Sequence, residues 1–307
     1  MQLKEIEKEF SVQAPWGNIN GVTWGDSSLP PVLVVHGKLD VCTGFRPLVT
    51  LLPRTFYYVA IDLPGNGRSD PLPRGVRFTV FDLVPVINIV KDHYGWSNFI
   101  YMGHSLGSLI GKIYNIVYPG VISRVVELDP VPAHHTWATT REDFRKWYHA
   151  YYGSYEPHRY HKFYGGPETA PKYTYEKAQE MMMKTRSMTK EATVNVLERC
   201  LQPVENGLYR FTYDQRMKEV TVLPFSGDLL RQIYTPVTIP TFAVIAQELI
   251  DGGAYDDVPF VTNSRSWPNK NYTFKIVQGS HDVHIYNPEC MAEDVAKFLM
   301  EHYKSKL

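Results

Sequence analysis

The chain has 307 residues, with 32 basic and 32 acidic side chains and therefore no formal net charge. This length suits one large domain or a core with an insertion. The balanced charge argues against binding to nucleic acid or to an anionic membrane surface. No apolar run reaches the ~18 residues of a membrane span, and the charged N-terminus "MQLKEIEKEF" lacks the apolar stretch of a secretory signal.

Strand patterns recur along the chain. Residues 10–25 are typical of a β-hairpin with its turn near Trp16-Gly17-Asn18. Apolar, β-branched runs then predict six strands that are buried in a central sheet. They comprise residues 30–37, 56–67, 99–107, 125–129, 241–246 and 273–279.

Amphipathic helical patterns lie between these strands. Apolar residues between 106 and 117 share one face of a helix that begins at Ser105, and Asn287-Pro288 opens a last helix. A stripe over residues 83–94 contains Pro85, which predicts a kink or a late start of that helix. The alternation predicts an α/β fold, a mostly parallel central sheet with helices on both faces.

The alternation stops between residues 133 and 235, where clustered aromatic residues and helical tracts replace the buried strands. We therefore predict a core formed by residues 1–132 and 236–307 and a helical cap, or lid, formed by residues 133–235. In open α/β sheets ligands bind at the carboxyl ends of the strands. The cap is expected to lie over those ends.

Residues Gly103-His104-Ser105-Leu106-Gly107 form a G-x-S-x-G motif between a predicted strand and a predicted helix. This is the context of a nucleophile elbow, a turn so sharp that its flanking positions must be nearly bare. The N-terminus of the following helix favours negative charge at the serine oxygen. Ser105 is therefore predicted to be a catalytic nucleophile.

A serine nucleophile requires a base, and His281 is the preferred candidate. It follows the last predicted strand in "GSHDVH" and keeps the chain order serine, acid, histidine. His284, three residues later, is its rival. The His-x-x-His spacing could also supply two metal ligands, but no further clustered ligands accompany it, and no metal site is predicted.

The sequence offers several candidates for the acid that would orient the histidine. The loop after strand 241–246 offers Glu248, Asp251, Asp256 and Asp257, and Asp251, followed by two glycines, fits best. Asp129 at the end of strand 125–129 is the alternative, either as the acid or as a structural carboxylate.

Two backbone amides are predicted to form an oxyanion hole. One belongs to Leu106, directly after the nucleophile, and the other to Lys38 in the loop "HGK". Only the amide of Lys38 is needed for this role, and its side chain is expected to reach solvent.

Together the segments "HGKLDVCTGFRPLVTLLPRTFYYVAIDLPGNGRSD", "MGHSLGS" and "GSHDVHIYNPE" resemble the α/β-hydrolase fold, and more narrowly the peroxisome-associated serine hydrolase-like proteins of animals. The resemblance covers residues 12–132 and 236–303. It implies a nucleophile at Ser105, a base at His281 and oxyanion donors at Lys38 and Leu106. The wider fold usually has Gly-x-x-Asp at the acid, and "AQELIDGG" lacks that glycine.

These features predict a cofactor-independent serine hydrolase that cleaves a carboxylic ester or related small acyl substrate through an acyl-enzyme. The aromatic, methionine-rich insertion favours an apolar or aromatic substrate. A hydrolase-fold binding protein with weak or no turnover is one alternative. Hydrolysis of thioesters or of C–C bonds is another.

The sequence given closes on Ser305-Lys306-Leu307, which matches a peroxisomal address read by an import receptor. The sequence therefore predicts a peroxisomal location and this receptor as a partner, with the cytoplasm as the alternative location.

Overall fold

The computed structural model describes residues 6–130, 140–219 and 224–301, except for the side chains of residues 151 and 154. The tripeptide Ser305-Lys306-Leu307 and the predicted boundary between residues 132 and 133 lie outside the described residues.

An eight-stranded sheet forms the centre of the molecule, with strand order β1-β2-β4-β3-β5-β6-β10-β11. Its strands are β1 (Lys8–Ala14), β2 (Gly17–Trp24), β3 (Pro31–Val35), β4 (Tyr57–Ile61), β5 (Phe99–His104), β6 (Ile122–Leu128), β10 (Thr241–Ala246) and β11 (Tyr272–Val277). β2 is antiparallel to both of its neighbours, and the pairs from β4 to β11 are parallel. The predicted hairpin and the predicted mostly parallel sheet are confirmed.

Helices cover both faces of this sheet. They are α1 (Arg46–Leu51), α2 (Pro85–Tyr94), α3 (Leu106–Val117), α9 (Gln247–Asp251), α10 (Val283–Tyr286) and α11 (Glu289–Met300), together with α8 (Gly227–Tyr234). α2 and α3 pack on one apolar cluster and α1 and α11 on another. Alternate residues of β3 enter the two clusters, Leu33 the first and Val34 the second, which explains why the central strands carry continuous apolar runs.

The helix predicted around Pro85 starts late. A short 3-10 turn over Val80–Leu83 precedes it, and Pro85 then occupies the first turn of α2. Proline is tolerated there because its missing N–H would have no partner within the helix. The helix ends at Gly95, whose φ of 67° is the left-handed conformation that glycine adopts freely.

Between β6 and β10 the described residues contribute no strand to the large sheet. They form α4 (Arg141–Tyr152), α5 (Pro157–Tyr164), α6 (Tyr175–Arg186) and α7 (Lys190–Cys200) before α8. A small antiparallel sheet also lies here, in the order β7 (Lys172–Tyr173), β9 (Tyr209–Phe211), β8 (Leu201–Pro203). The sequence did not predict this small sheet.

The segment packs onto the core at two places. α6, α7 and β9 share a third apolar cluster with Val41 and Ile285. α8 buries Leu230 and Tyr234 in the cluster on the α2 and α3 face. In the described part of the chain no helix has both the length and the apolar character to cross a membrane.

Candidate active site

Ser105 occupies the sharp turn between β5 and α3. Its backbone has φ 52° and ψ −115°, a conformation that costs energy for a residue with a side chain. A Cβ at Gly103 would lie 2.6 Å from the backbone of α3, and one at Gly107 would lie 2.2 Å from the carbonyl oxygen of Val35. Both flanking glycines are therefore required by close backbone contacts, as the elbow motif predicts.

The serine faces a cavity of about 750 Å³ that His281 also lines. The side chain of Ser105 is almost fully enclosed, with 3% of the residue exposed. The apolar wall of the cavity comes from both the core and the intervening segment, through Leu39, Tyr173, Met181, Met182, Phe211 and Leu249. A cavity of this size accommodates a small-molecule ligand.

His281 follows β11, and its ring makes a short hydrogen bond with a carboxylate. Nδ1 donates to Oδ2 of Asp129 over 2.6 Å. This contact fixes the tautomer and leaves Nε2 as the nitrogen that is able to accept a proton. The ring of His104 supports the same loop, because its Nε2 donates to the carbonyl oxygen of His281 over 3.0 Å.

Asp129 is held by several partners at the end of β6. Its Oδ1 accepts from the amide of Ala246 (2.8 Å) and from the hydroxyl of Tyr255 (3.1 Å). Burial, followed by the nearby Asp129 carboxylate, raises the pKa of Tyr255 well above its usual range, so this hydroxyl stays protonated as a donor. The sequence did not single out Tyr255, because no local motif places it beside Asp129.

The sequence favours Asp251 over Asp129 as the partner of His281, but in the structure Asp129 and not Asp251 forms this hydrogen bond. Asp251 is exposed at the end of α9, where its carboxylate accepts from Gln247 over 2.8 Å. The chain turns into α9 directly after β10 and carries Asp251 to the surface. Of the other acids in this loop, Glu248 lies at the edge of the cavity, and Asp256 and Asp257 are exposed.

His284, the rival base, is buried away from the cavity surface. Its ring lies 4.1 Å from that of His104 and 5.2 Å from that of Phe45, between ring centres. Neither of its nitrogens has a hydrogen-bond partner among the described residues. Burial lowers the pKa of His284 to about 3, so it is neutral at physiological pH.

Asp40, His104 and His284 come close enough to be considered as metal ligands, with donor atoms within 4.8 Å of one another. The guanidinium of Arg186, however, lies 3.1 Å from the Asp40 carboxylate and already supplies its counter-charge. Gly37 packs closely on Nδ1 of His104: a Cβ atom added to Gly37 would lie only 2.7 Å from this nitrogen. There is therefore little room for an ion on that side of the ring. We therefore assign no metal to this cluster.

Arg186 also binds Asp282, the residue after the candidate base. Its Nε donates to Oδ2 over 2.9 Å, and its Nη2 donates to the other carboxylate oxygen. Burial alone would raise the pKa of Asp282, but the guanidinium holds it well below its usual range. Arg186, at the end of α6, thus connects the histidine loop to Asp40, a contact that no sequence motif indicated.

The two predicted oxyanion donors lie at elements suited to that role. Leu106 is the first residue of α3, where backbone amides are free of helical partners. Lys38 lines the cavity in the loop after β3. That loop approaches the nucleophile closely, since a Cβ at Gly37 would lie 3.0 Å from Cβ of Ser105. The side chain of Lys38 is exposed, as expected.

Comparison with known proteins identifies the architecture. A family model described as the alpha/beta hydrolase fold matches residues 30–197. The serine hydrolase-like protein of Danio rerio is 29% identical over 306 residues, covering 97% of this chain and 90% of that protein. The serine hydrolase-like protein of Homo sapiens is 36% identical over 121 residues, covering 39% of this chain and 60% of the human one.

Comparison with a solved structure supports the same fold. The hypothetical protein PA1622 from Pseudomonas aeruginosa PAO1 superposes with a TM-score of 0.79 at 20% identity, covering 97% of this chain and 99% of that one. At this identity the likeness shows the fold alone. The fold class predicted from the sequence is confirmed.

Proposed function

The chain belongs to the α/β-hydrolase fold family, and from this premise we propose that it is a serine hydrolase that cleaves carboxylic esters or related acyl compounds. The observation that carries the proposal is the 2.6 Å hydrogen bond between His281 and Asp129 in a chain whose Ser105 occupies a nucleophile elbow at the same cavity. Serine, oriented histidine and buried carboxylate are the groups that acyl transfer requires.

In the first step, Oγ of Ser105 attacks the carbonyl carbon of the substrate, and Nε2 of His281 accepts the proton of the Ser105 hydroxyl. The carbonyl π electrons move to the oxygen and give a tetrahedral oxyanion. Asp129 accepts the hydrogen bond from Nδ1 of His281 and stabilises the imidazolium that forms. The backbone amides of Lys38 and Leu106 donate to the oxyanion.

Collapse of the oxyanion breaks the ester C–O bond and leaves an acyl group on Ser105. His281 gives its proton to the departing alcohol. A water molecule then loses a proton to His281 and attacks the acyl carbon, and the second collapse releases the acid and restores the hydroxyl. The strained φ of Ser105 serves this chemistry because it turns the side chain out of the sheet.

The cavity wall supports an apolar substrate body. Tyr173, Met181, Met182 and Phe211 contribute apolar surface, and methionine adapts to ligands of varied shape. The apolar or aromatic substrate class expected from the sequence is kept as part of the proposal.

A fluorophosphonate probe tests the proposal. It reacts with activated serines, so we expect one adduct on Ser105 in the folded protein and none in Ser105→Ala, as measured by intact-mass and peptide mass spectrometry. In the same assays, turnover of short 4-nitrophenyl esters is expected to fall at least about 1,000-fold in Ser105→Ala. A folded protein without adduct and without turnover would instead favour a binding protein.

A further inference from the structure

The cavity that contains Ser105 has a cationic side as well as its apolar wall. Lys38 and Lys218 both line it. Nζ of Lys38 donates to the carbonyl oxygen of Lys218 over 2.8 Å, so the two residues are neighbours at the junction of the core and the intervening segment. Nζ of Lys218 lies 5.3 Å from the ring centre of Tyr213, a third residue of the cavity wall.

Neither ammonium group has a carboxylate within 4.0 Å among the residues that the structure describes. Glu219 is the acid next to Lys218 in the chain, but its carboxylate pairs with Arg77 (3.5 Å) and with Arg159. Of the stretches outside the description, residues 131–139, 220–223 and 302–307 contain no acidic side chain, and residues 1–5 contain one, Glu5.

The remaining acids of the cavity do not balance these charges. Asp282 is paired with Arg186, and Glu248 is exposed at the edge. Loss of hydration lowers the pKa values of both Lys38 and Lys218, which is the shift that a bound anion would oppose. The Glu219 carboxylate opposes the shift at Lys38 from a distance, but it forms no direct ion pair with either lysine. The cavity thus combines an apolar body with two ammonium groups that lack a direct carboxylate partner among the described residues.

We propose that the acyl substrate carries a free carboxylate, remote from the bond that is cleaved, and that Lys218 and Lys38 bind this carboxylate. The proposal rests on the proposed function and adds to it the chemical class of the substrate, an amphipathic ester acid. Lys218 is half-buried, whereas the side chain of Lys38 reaches solvent, so Lys218 is the principal partner. A partly buried ammonium group attracts such a carboxylate more strongly than a lysine on an open surface would.

Kinetics with matched esters test the preference. We compare 4-nitrophenyl hemiesters of the dicarboxylic acids from adipic to sebacic acid with 4-nitrophenyl esters of the monocarboxylic acids of equal chain length. After subtraction of spontaneous hydrolysis, kcat/KM is expected to favour the hemiester at least about 10-fold at one chain length or more, and the preference is expected to fall with added salt.

The Lys218→Met variant is expected to reduce the ratio of the two kcat/KM values about 10-fold, and Lys218→Arg to retain most of it. Lys184→Met is the matched control, because Lys184 is an exposed lysine of α6 that does not line the cavity. An unchanged ratio in Lys218→Met, or a preference for the neutral esters in the wild-type protein, would overturn the proposal.

Binding without turnover separates this proposal from the hydrolase assignment. In Ser105→Ala, calorimetry is expected to show that monomethyl suberate binds at least about 10-fold more tightly than dimethyl suberate, and that adding Lys218→Met removes the difference. Equal binding of the two esters overturns the carboxylate site. A binding difference in a protein that hydrolyses no ester supports the carboxylate site and rejects the hydrolase assignment.

Discussion

The backbone conformation and the hydrogen bonds of Asp129 fix its side chain in one orientation. Its backbone has a φ of 44°, which turns the side chain away from the continuation of β6. Hydrogen bonds from Ala246, Tyr255 and His281 then engage both carboxylate oxygens. These three donors hold the carboxylate in one orientation, with Oδ2 directed at Nδ1 of His281. It is therefore able to stabilise the imidazolium of His281.

Replacing Asp129 with asparagine is expected to lower kcat for ester hydrolysis about 1,000-fold or more, because the amide no longer selects the tautomer with a proton on Nδ1. Asp251→Asn is the matched control. Its carboxylate is exposed and contacts Gln247, so its kcat is expected to stay within about twofold of the wild-type value. Steady-state kinetics measure both. A larger loss in Asp251→Asn than in Asp129→Asn would contradict the assignment.

The residues of the site differ in how far the sequence could predict them. Ser105 and His281 belong to local patterns, an elbow motif and a loop directly after the last strand. Asp129 depends on a spatial neighbour, since β6 lies beside β10 only in the folded sheet and the two strands are more than 100 residues apart. The sequence retained it as an alternative, but the choice required the hydrogen bond.

The conformation of the nucleophile elbow also depends on contacts between elements that are distant in the sequence. Gly107 allows the first turn of α3 to contact the carbonyl oxygen of Val35 in β3, and Gly103 allows β5 to pass directly under that turn. Ser108 adds a hydrogen bond from its hydroxyl to the carbonyl oxygen of Gly103 over 2.7 Å. The strain at Ser105 is therefore maintained by the packing of three elements against one another.

Arg186 joins α6 to two loops of the core, and its removal tests the strength of that connection. Arg186→Met leaves Asp40 and Asp282 buried without their cation, so the free energy of unfolding is expected to fall by about 3–5 kcal/mol. Arg145→Met is the control, because Arg145 forms an exposed pair with Glu142 and its loss is expected to cost less than about 1 kcal/mol. Urea denaturation measures both variants.

A double variant distinguishes a charge effect from lost packing. Asp282→Asn removes one of the two buried carboxylates that Arg186→Met leaves without a cation. The double variant Arg186→Met/Asp282→Asn is therefore expected to be more stable than Arg186→Met alone. If the double variant is as unstable as the sum of its single substitutions, the ion pairs do not explain the effect of Arg186.

Long elements were predicted well, and short ones were missed. The strands of the large sheet and the predicted core helices α2, α3 and α11 have apolar repeats over five to twelve residues, which periodicity detects. The core helices α1, α9 and α10, of four to six residues, were not predicted. β7, β8 and β9 contain only two or three residues each and are stabilised by pairing with one another. No repeat fits into such a length, and β7 pairs with β9 only after the chain has passed through α6 and α7.

The whole molecule consists of a sheet between two apolar clusters, with a third cluster joining the intervening segment to the core. The cavity lies where this segment meets the carboxyl ends of the strands, so its wall combines residues from both parts. The sequence predicted the layers, and it predicted that the candidate site would lie at the carboxyl ends of the strands. It could not predict the cationic side, because Lys38 and Lys218 are 180 residues apart and meet only in three dimensions.

Buried neutral histidines make the stability of the whole molecule depend on pH. His104 and His284 have pKa values lowered chiefly by burial, His284 to about 3, with Asp282 opposing the shift and Arg186 and His281 adding to it. Above pH 6.5 these imidazoles are neutral in both the folded and the unfolded chain. Below it, the unfolded chain binds protons that the folded protein excludes, so the free energy of unfolding falls as the pH decreases toward 3.

His284→Leu is expected to flatten this dependence. One such histidine contributes about 1.4 kcal/mol per pH unit well below pH 6.5 and about half of that at pH 6.5, so between pH 6.5 and 5 the variant is expected to lose about 1.6 kcal/mol less than the wild-type protein. No hydrogen bond is lost, because the His284 nitrogens have no partner among the described residues. His93→Leu is the control for replacing a histidine at an exposed position. Urea denaturation across this pH range measures all three proteins, and parallel curves for wild type and His284→Leu would contradict the burial of a neutral imidazole at this position.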